Sequence, residues 1–186
     1  VDVYYNETPV DANFAFQSIY DISQAEILRG PQGLLRGRPS PAGAITLASR
    51  KPEFDGLGGY ISGSGGDEGT YNAQAALNAV LIDDTLAARI AAVYDEDEGD
   101  HVKSVNSGDK AERETRSWRA SLRWAITDSI DATLTHQWLE SDRTILGQVE
   151  GPGMGYNGPA IGEREGKSVM ERSTGGTQKS KITTLS

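Results

Sequence analysis

The sequence predicts an all-β transmembrane β-barrel wall preceded by a small mixed α/β segment, and three observations carry that prediction. From Leu57 onward, apolar and polar side chains alternate with period two through successive runs. The connections between runs are short at one end and long at the other, with the short "GGDEG" (65–69) as the exception at the long end. Aromatic residues gather on the apolar faces at the long-loop end.

Composition sets the frame. The chain has 186 residues, no cysteine and a net charge of -9. The acidity argues against a nucleic-acid partner. Without cysteine there is neither a disulfide framework nor a thiolate metal site. No signal peptide is visible, because Val1 already begins the strand-like run "VDVYY". No apolar run approaches the length of a spanning helix, but barrel strands alternate and never produce one.

Residues 1–55 read as a strand at 1–5, a turn at "NETP", a strand at about 24–29, a tight Gly/Pro turn and a strand at about 43–50. "SRKPEFDG" then reads as a linker into residues 56–186, expected to hold the first five to six barrel strands. In "TYNAQAALNAVL" one face carries Tyr71, Ala73, Ala75, Leu77, Ala79 and Leu81, opposite Asn72, Gln74, Ala76, Asn78 and Val80. In the next run Leu86, Ala88, Ile90, Ala92 and Tyr94 oppose Ala87, Arg89, Ala91, Val93 and Asp95. Trp118, Ala120, Leu122, Trp124 and Ile126 oppose Arg119, Ser121 and Arg123. Ile130, Ala132, Leu134, His136 and Trp138 oppose Asp131, Thr133, Thr135 and Gln137. The tail from Gly176 looks like a further strand.

A soluble sandwich also alternates, so loops and aromatics decide the class. "IDDT" (82–85) and "TDS" (127–129) are tight turns, whereas the connections near 96–115 and from 143 onward are long and hydrophilic. Tyr71, Tyr94, Trp118 and Trp138 therefore fall at one height as a girdle at a membrane interface. Tyr71 to Leu81, at roughly 3.3 Å per residue and about 45° of tilt, spans about 23 Å, close to an apolar band of about 25 Å. His136 fits poorly: either its imidazole reaches the headgroup layer, or a bulge turns it inward. An open sheet of this size cannot sit in a bilayer alone, so the chain either oligomerises into a barrel or is part of a larger one in outer-membrane lipid, and a tail that reads as the start of a further strand favours the second.

"EILRGPQGLLRGRPSPAGAITLASRKP" (26–52) precedes the first barrel strand, which places it on the periplasmic side or in the lumen. It lacks the Lys-Ser/Thr pair of a phosphate loop, and Pro39 and Pro41 bar a following helix. This segment resembles the end of the plug domain of TonB-dependent outer-membrane receptors, where an Arg-Gly-Pro turn, a glycine, a strand and a Lys/Arg-Pro exit follow in order. "VDVYYNETPV" resembles the preceding plug strand, and "LIDDTLAARIAAVYDEDEGD" the second and third barrel strands. The resemblance implies a barrel of about 22 strands filled by a plug, active uptake of a scarce nutrient such as a ferric siderophore, and the inner-membrane TonB complex as partner. The TonB-contacting box is expected before Val1, and most of the barrel after Ser186.

The resemblance also assigns candidate residues. Arg29, Gly30, Pro31, Gly33, Gly37 and Gly43 form the plug motif, with glycines permitting turns and close packing. Arg29 serves either a plug ion pair or ligand contact. Arg36, where siderophore receptors frequently carry a tyrosine, is a candidate ligand residue at the plug apex with Arg38 beside it; the alternative is a solvated or wall-paired arginine. Met154 and Tyr156, in the Gly-rich outer loop, are either ligand contacts or part of a disordered surface. The acidic run 95–100 reads as a solvated strand end rather than a calcium loop, and His101 and His136 are too distant for a metal pair. No catalytic arrangement, cofactor motif or metal site is visible. A surface β-domain acting as an adhesin or glycan binder is the competing reading.

Overall fold

The computed structural model describes residues 2–31, 40–66, 69–98, 102–127, 129–146, 166–170 and 174–186. Two sheets dominate. A four-stranded mixed sheet has the order β2-β1-β4-β3, from β1 (Asp2–Tyr5), β2 (Thr8–Val10), β3 (Ile22–Leu28) and β4 (Ala44–Ser49). A six-stranded antiparallel wall has the order β12-β10-β9-β7-β6-β5. Its strands are β5 (Gly58–Gly65), β6 (Tyr71–Ile82), β7 (Leu86–Asp97), β9 (Glu112–Thr127), β10 (Ile130–Ile145) and β12 (Thr174–Leu185). Short β8 (Lys103–Ser104) and β11 (Lys167–Ser168) pair in parallel beyond the wall's long-loop end.

The small sheet differs from the sequence reading in two places. "NETP" is not all turn: Asn6 and Glu7 take φ of 46° and 63° and close a hairpin, and the chain is already extended again at Thr8. Pro9 is tolerated because β2 is an edge strand with no further partner to serve. The second difference is a helix, α1 (Ala12–Gln17), six residues long and too short to display a helical period. Its local signal is Asp11, whose carboxylate accepts the N–H groups of Asn13 at 2.9 Å and Phe14 at 3.4 Å. α1 lays Phe14 against Tyr5, ring centroids 6.0 Å apart and edge-on, over a core with Val3, Ala15 and Leu47.

The wall is inside out relative to a soluble sheet. Its apolar face is turned to the surroundings, with Leu77, Ile90 and Trp124 51%, 52% and 51% exposed. Its other face is covered by the small sheet and is largely polar: Arg119 and Gln137 are each 2% exposed, beside buried Ser117, Ser121, Thr133 and Thr135. Ala76, Ala87 and Ala91 fill the same face, small enough to let the covering segment approach. A sandwich in water buries the opposite face. Leu139 and Ile182 are exceptions, large apolar residues on the inner face that pack with the core of Tyr5 and Phe14.

Strands β9 and β10 have 16 residues each, longer than the sequence pattern defines. At about 3.3 Å per residue and about 45° of tilt they rise about 37 Å, so their ends stand clear of an apolar band of about 25 Å. The outward side chains change accordingly, from Trp118 to Arg116, Glu114 and Glu112, and from Trp138 to Glu140 and Asp142. The described parts of the long connections are held to one another. Residues 102–111 and 166–170 share the β8–β11 pair, and Met170 packs against a small core of Val102, Ala111 and Leu146. Asn106 donates from Nδ2 to the Val169 carbonyl at 2.8 Å, and Ser104 from Oγ to that of Met170 at 2.6 Å.

Candidate functional site: the seam between the two sheets

The richest polar constellation among the described residues is where the wall meets the turn after α1. That turn, Ser18–Asp21, presents carbonyls that no helix satisfies, and Asp21 has φ 49°, which Asp tolerates. Arg119, at the middle of β9, answers them. Its Nη2 donates to the Ser18 carbonyl at 3.3 Å, and Nη1 to those of Tyr20 and Asp21 at 3.3 and 3.4 Å. Its Nε donates to Oε1 of Gln137, whose Nε2 in turn donates to Ser18 Oγ at 2.8 Å. The guanidinium lies 4.5 Å from the Tyr20 ring centroid and 5.3 Å from that of Tyr5.

Arg89 on β7 makes the second link. Its Nε and Nη2 donate to the two carboxylate oxygens of Asp21 at 2.8 and 2.5 Å, a buried bidentate pair. Tyr20 adds a hydroxyl contact with Ser117 Oγ at 2.9 Å and packs its ring on Ala76 and Ala91. Burial pushes the Tyr20 phenol up, with Arg119 pulling against it; burial likewise pushes Tyr5 up.

The predicted linker is held as well. Asn78 on β6 accepts from the Glu53 N–H at 2.9 Å and donates to the carbonyls of Glu53 and Gly56, both at 3.0 Å. Arg123 donates to the Pro52 carbonyl at 3.3 Å, pairs with Asp131 at 2.8 Å and lies 4.7 Å from the Phe54 ring centroid. Residues 52–56 are thus clamped to the wall they lead into.

The sequence-predicted residues are distributed unevenly. Gly30 and Gly43 have φ of 78° and 98°, and a side chain at Gly43 would run into the Leu28 carbonyl. Arg29 and Pro31 stand beside Gly30 just beyond β3. Gly33, Arg36, Gly37, Arg38, Met154 and Tyr156 lie outside the described residues, as does His101. Tyr71, Tyr94, Trp118 and Trp138 all have outward parity. Trp118 and Trp138 are cross-strand partners; Tyr94 faces Arg116 one outward row higher, and Tyr71 faces Glu96 a row above that. His136 stays outward without a bulge, its Nδ1 bonded to Thr183 Oγ1 at 2.8 Å and its ring 5.5 Å from that of Trp118.

Sequence reasoning missed Asp21, Asn78, Arg89, Arg119 and Gln137 as a group. The available signal was a long polar or cationic side chain in the middle of a strand whose inward neighbours are alanine and serine. Among the described residues no cluster of His, Cys, Asp or Glu is placed to hold a metal.

A wall that shows its greasy face outward and grips a small mixed sheet on its polar face is the wall of a plugged outer-membrane barrel. No family model matches the chain. It is 27% identical over 109 residues to the pesticin receptor of Yersinia enterocolitica, covering 59% of this chain and 16% of that protein. It is 32% identical over 109 residues to the ferrioxamine B receptor of Salmonella typhimurium, covering 58% of this chain and 14% of that protein. In structure it is similar to the ferric yersiniabactin uptake receptor of Yersinia pestis, with a TM-score of 0.69 at 23% identity over 77% of this chain and 23% of that one. The ferric-catecholate import receptor of E. coli follows with 0.62 at 22% identity, over 85% of this chain and 23% of that one. In sequence and in fold the chain is similar to part of TonB-dependent outer-membrane siderophore receptors. It spans about one sixth of the curated relatives it matches. Those relatives are receptors rather than enzymes, and they give the adhesin reading no support.

Proposed function

We propose that this chain supplies the end of the plug, residues 1–55, and the opening wall, residues 56–186, of a receptor for active uptake of a scarce nutrient, a ferric siderophore. The observation that carries the reading is the seam: buried Arg89 and Arg119 hold the Ser18–Asp21 turn against the inner face of a lipid-facing sheet. A plug so held blocks the lumen, and its polar bonds yield to force and water more readily than a greasy interface does. The TonB complex supplies that force through a segment outside this chain. Further strands complete the barrel beyond β5 and β12, each of which has one neighbour in the wall. Tyr71, Tyr94, Trp118 and Trp138 seat the wall at the outer lipid interface. Arg36 and Arg38 at the plug apex and Met154 and Tyr156 in the outer loop contact the ligand, with Arg29 in the structural plug motif.

The test is growth of a deletion strain under iron limitation with ferric chelates supplied singly. Restoration of growth on one chelate by the intact gene, and not by a copy lacking residues 1–55, is the expected result. Equal growth of deletion and parent on every chelate removes the siderophore reading.

A further inference from the structure

The small sheet meets the wall differently on its two flanks. On the β7–β9 flank, buried Arg89 and Arg119 grip the Ser18–Asp21 turn. On the β10–β12 flank, Leu139 and Ile182 of neighbouring strands pack against the apolar core of the small sheet. Gln137, the register partner of Ile182, still reaches Ser18 Oγ at 2.8 Å and marks the edge of the gripped side. These two apolar residues interrupt a polar face. Towards the long loops the next inner pair is Ser141 and Gln178. Towards the short turns Thr135 stands opposite Thr184, and Thr133 exchanges backbone hydrogen bonds with Ser186. Below the apolar pair the sheets part around a cavity of about 560 Å³, bounded on the small-sheet side by Asn6, Ser23, Gln24 and Ser49.

Two properties of the cavity bear on what it can hold. Thr133 lines it and is 3% exposed, yet its Oγ1 has no hydrogen-bond partner among the described residues. A buried hydroxyl without a partner is costly, so the position suits a polar guest. The charged residues around the cavity balance: Arg50 and Lys51 stand against Glu7 and Glu53, and Arg123 pairs with Asp131 at 2.8 Å. Neutral hydroxyls and balanced charge hold a polar molecule weakly and with little regard to its own charge. A passage needs that weakness, because a site that grips its cargo does not let it go.

We infer that polar cargo leaves the lumen along the β10–β12 flank, with Leu139 and Ile182 as the collar that closes this route and the hydroxyl-lined cavity as its exit. The inference rests on the uptake reading above and adds to it a side and a constriction. Arg89 and Arg119 tether the small sheet on the other flank, so a tilt about that seam parts the collar first. The collar is a packing contact of hydrocarbon side chains, and its parting leaves no buried polar group of its own unpaired.

The experiment uses the full-length receptor in cells, with a ferric tris-hydroxamate and a ferric tris-catecholate as probes, and follows surface binding and uptake separately. Thr184→Cys is modified after folding with a bulky thiol reagent that a reductant removes, and the parent receptor receives the same treatment. Uptake of the chelate that the parent imports is expected to fall about tenfold or more while binding stays within about twofold, a split that separates passage from capture. Removing the reagent is expected to restore uptake. Thr135→Trp, which fills the cavity by bulk alone, is expected to act in the same direction without any reagent. Ile182→Cys, packed on the small sheet at rest, is expected to react faster with a periplasmic thiol reagent during import than in cells lacking TonB. Unchanged uptake in both cavity variants overturns the inference, as does reagent-induced loss of binding in step with uptake. Reactivity of Ile182→Cys that is indifferent to import removes the collar and the route with it. If the parent imports neither chelate, the uptake reading itself falls and takes this inference along.

Discussion

Val3, Tyr5, Phe14 and Leu47 close a dry core on the four-stranded sheet, while the wall beside it buries Arg89, Arg119 and Gln137. The first region coheres as any small domain does, by removing apolar surface from water. The second coheres through directional bonds to a single turn and a single exit segment. The contrast has a functional sense. Under the proposed function, apolar burial keeps the small sheet one body, and a polar seam lets that body be gripped yet released, because each broken bond can be taken up by water. Leu139 and Ile182 are where the two rules mix, since both belong to the wall and pack on the plug core.

The comparison can be broken hardest at Asp21. Asp21→Ala leaves Arg89 buried without its carboxylate, and the folded receptor should lose about 3–5 kcal/mol, read as a lower melting temperature of the full-length protein in detergent. The double variant D21L/R89M should recover most of that loss; no recovery would mean that the ion pair is not what holds the turn. Next comes Leu139→Ala, expected to cost about 2–4 kcal/mol through the cavity left in the mixed core. Hydrogen exchange should speed up over residues 2–17 more than over β7 and β9, and uniform acceleration would argue that plug and wall unfold as one. Asp11→Ala removes the α1 cap and should cost about 1 kcal/mol, with exchange loosened at Asn13 and Phe14.

The smallest effect is with pH. Burial holds the Tyr5 and Tyr20 phenols above the ordinary tyrosine value. The folded state therefore keeps protons that the unfolded chain releases above about pH 10. Their contribution is intact below that pH and drains as pH rises further. Tyr5→Phe should flatten the fall in melting temperature on the alkaline side, and an unchanged alkaline limb would exclude Tyr5 as its source.

Much was legible from sequence because alternation is local. A period of two assigns Leu77, Ile90 and Trp124 to one face and Asn78, Arg89 and Arg123 to the other with no knowledge of what lies opposite. Loop asymmetry and the aromatic positions then set which face meets lipid. Three things were illegible for a common reason. α1 is shorter than the window in which a helical period shows. The β8–β11 pair joins segments more than sixty residues apart. Arg119 reaches carbonyls 98 to 101 residues away in sequence.

By itself, then, the sequence determined an alternating strand array with its apolar face outward, the parity of residues 71–81, 86–95, 118–126 and 130–138, and a tight Gly/Pro turn around Gly30. Only the tertiary structure decided which inward cation grips the Ser18–Asp21 turn and which stands clear of it. The physical reason is that parity depends on the residue's own strand, whereas partnership depends on register and on where a separate sheet comes to rest. Arg119 and Arg143 look alike in sequence, both inward arginines on neighbouring strands; one lies under the Ser18–Asp21 turn and the other stands above it.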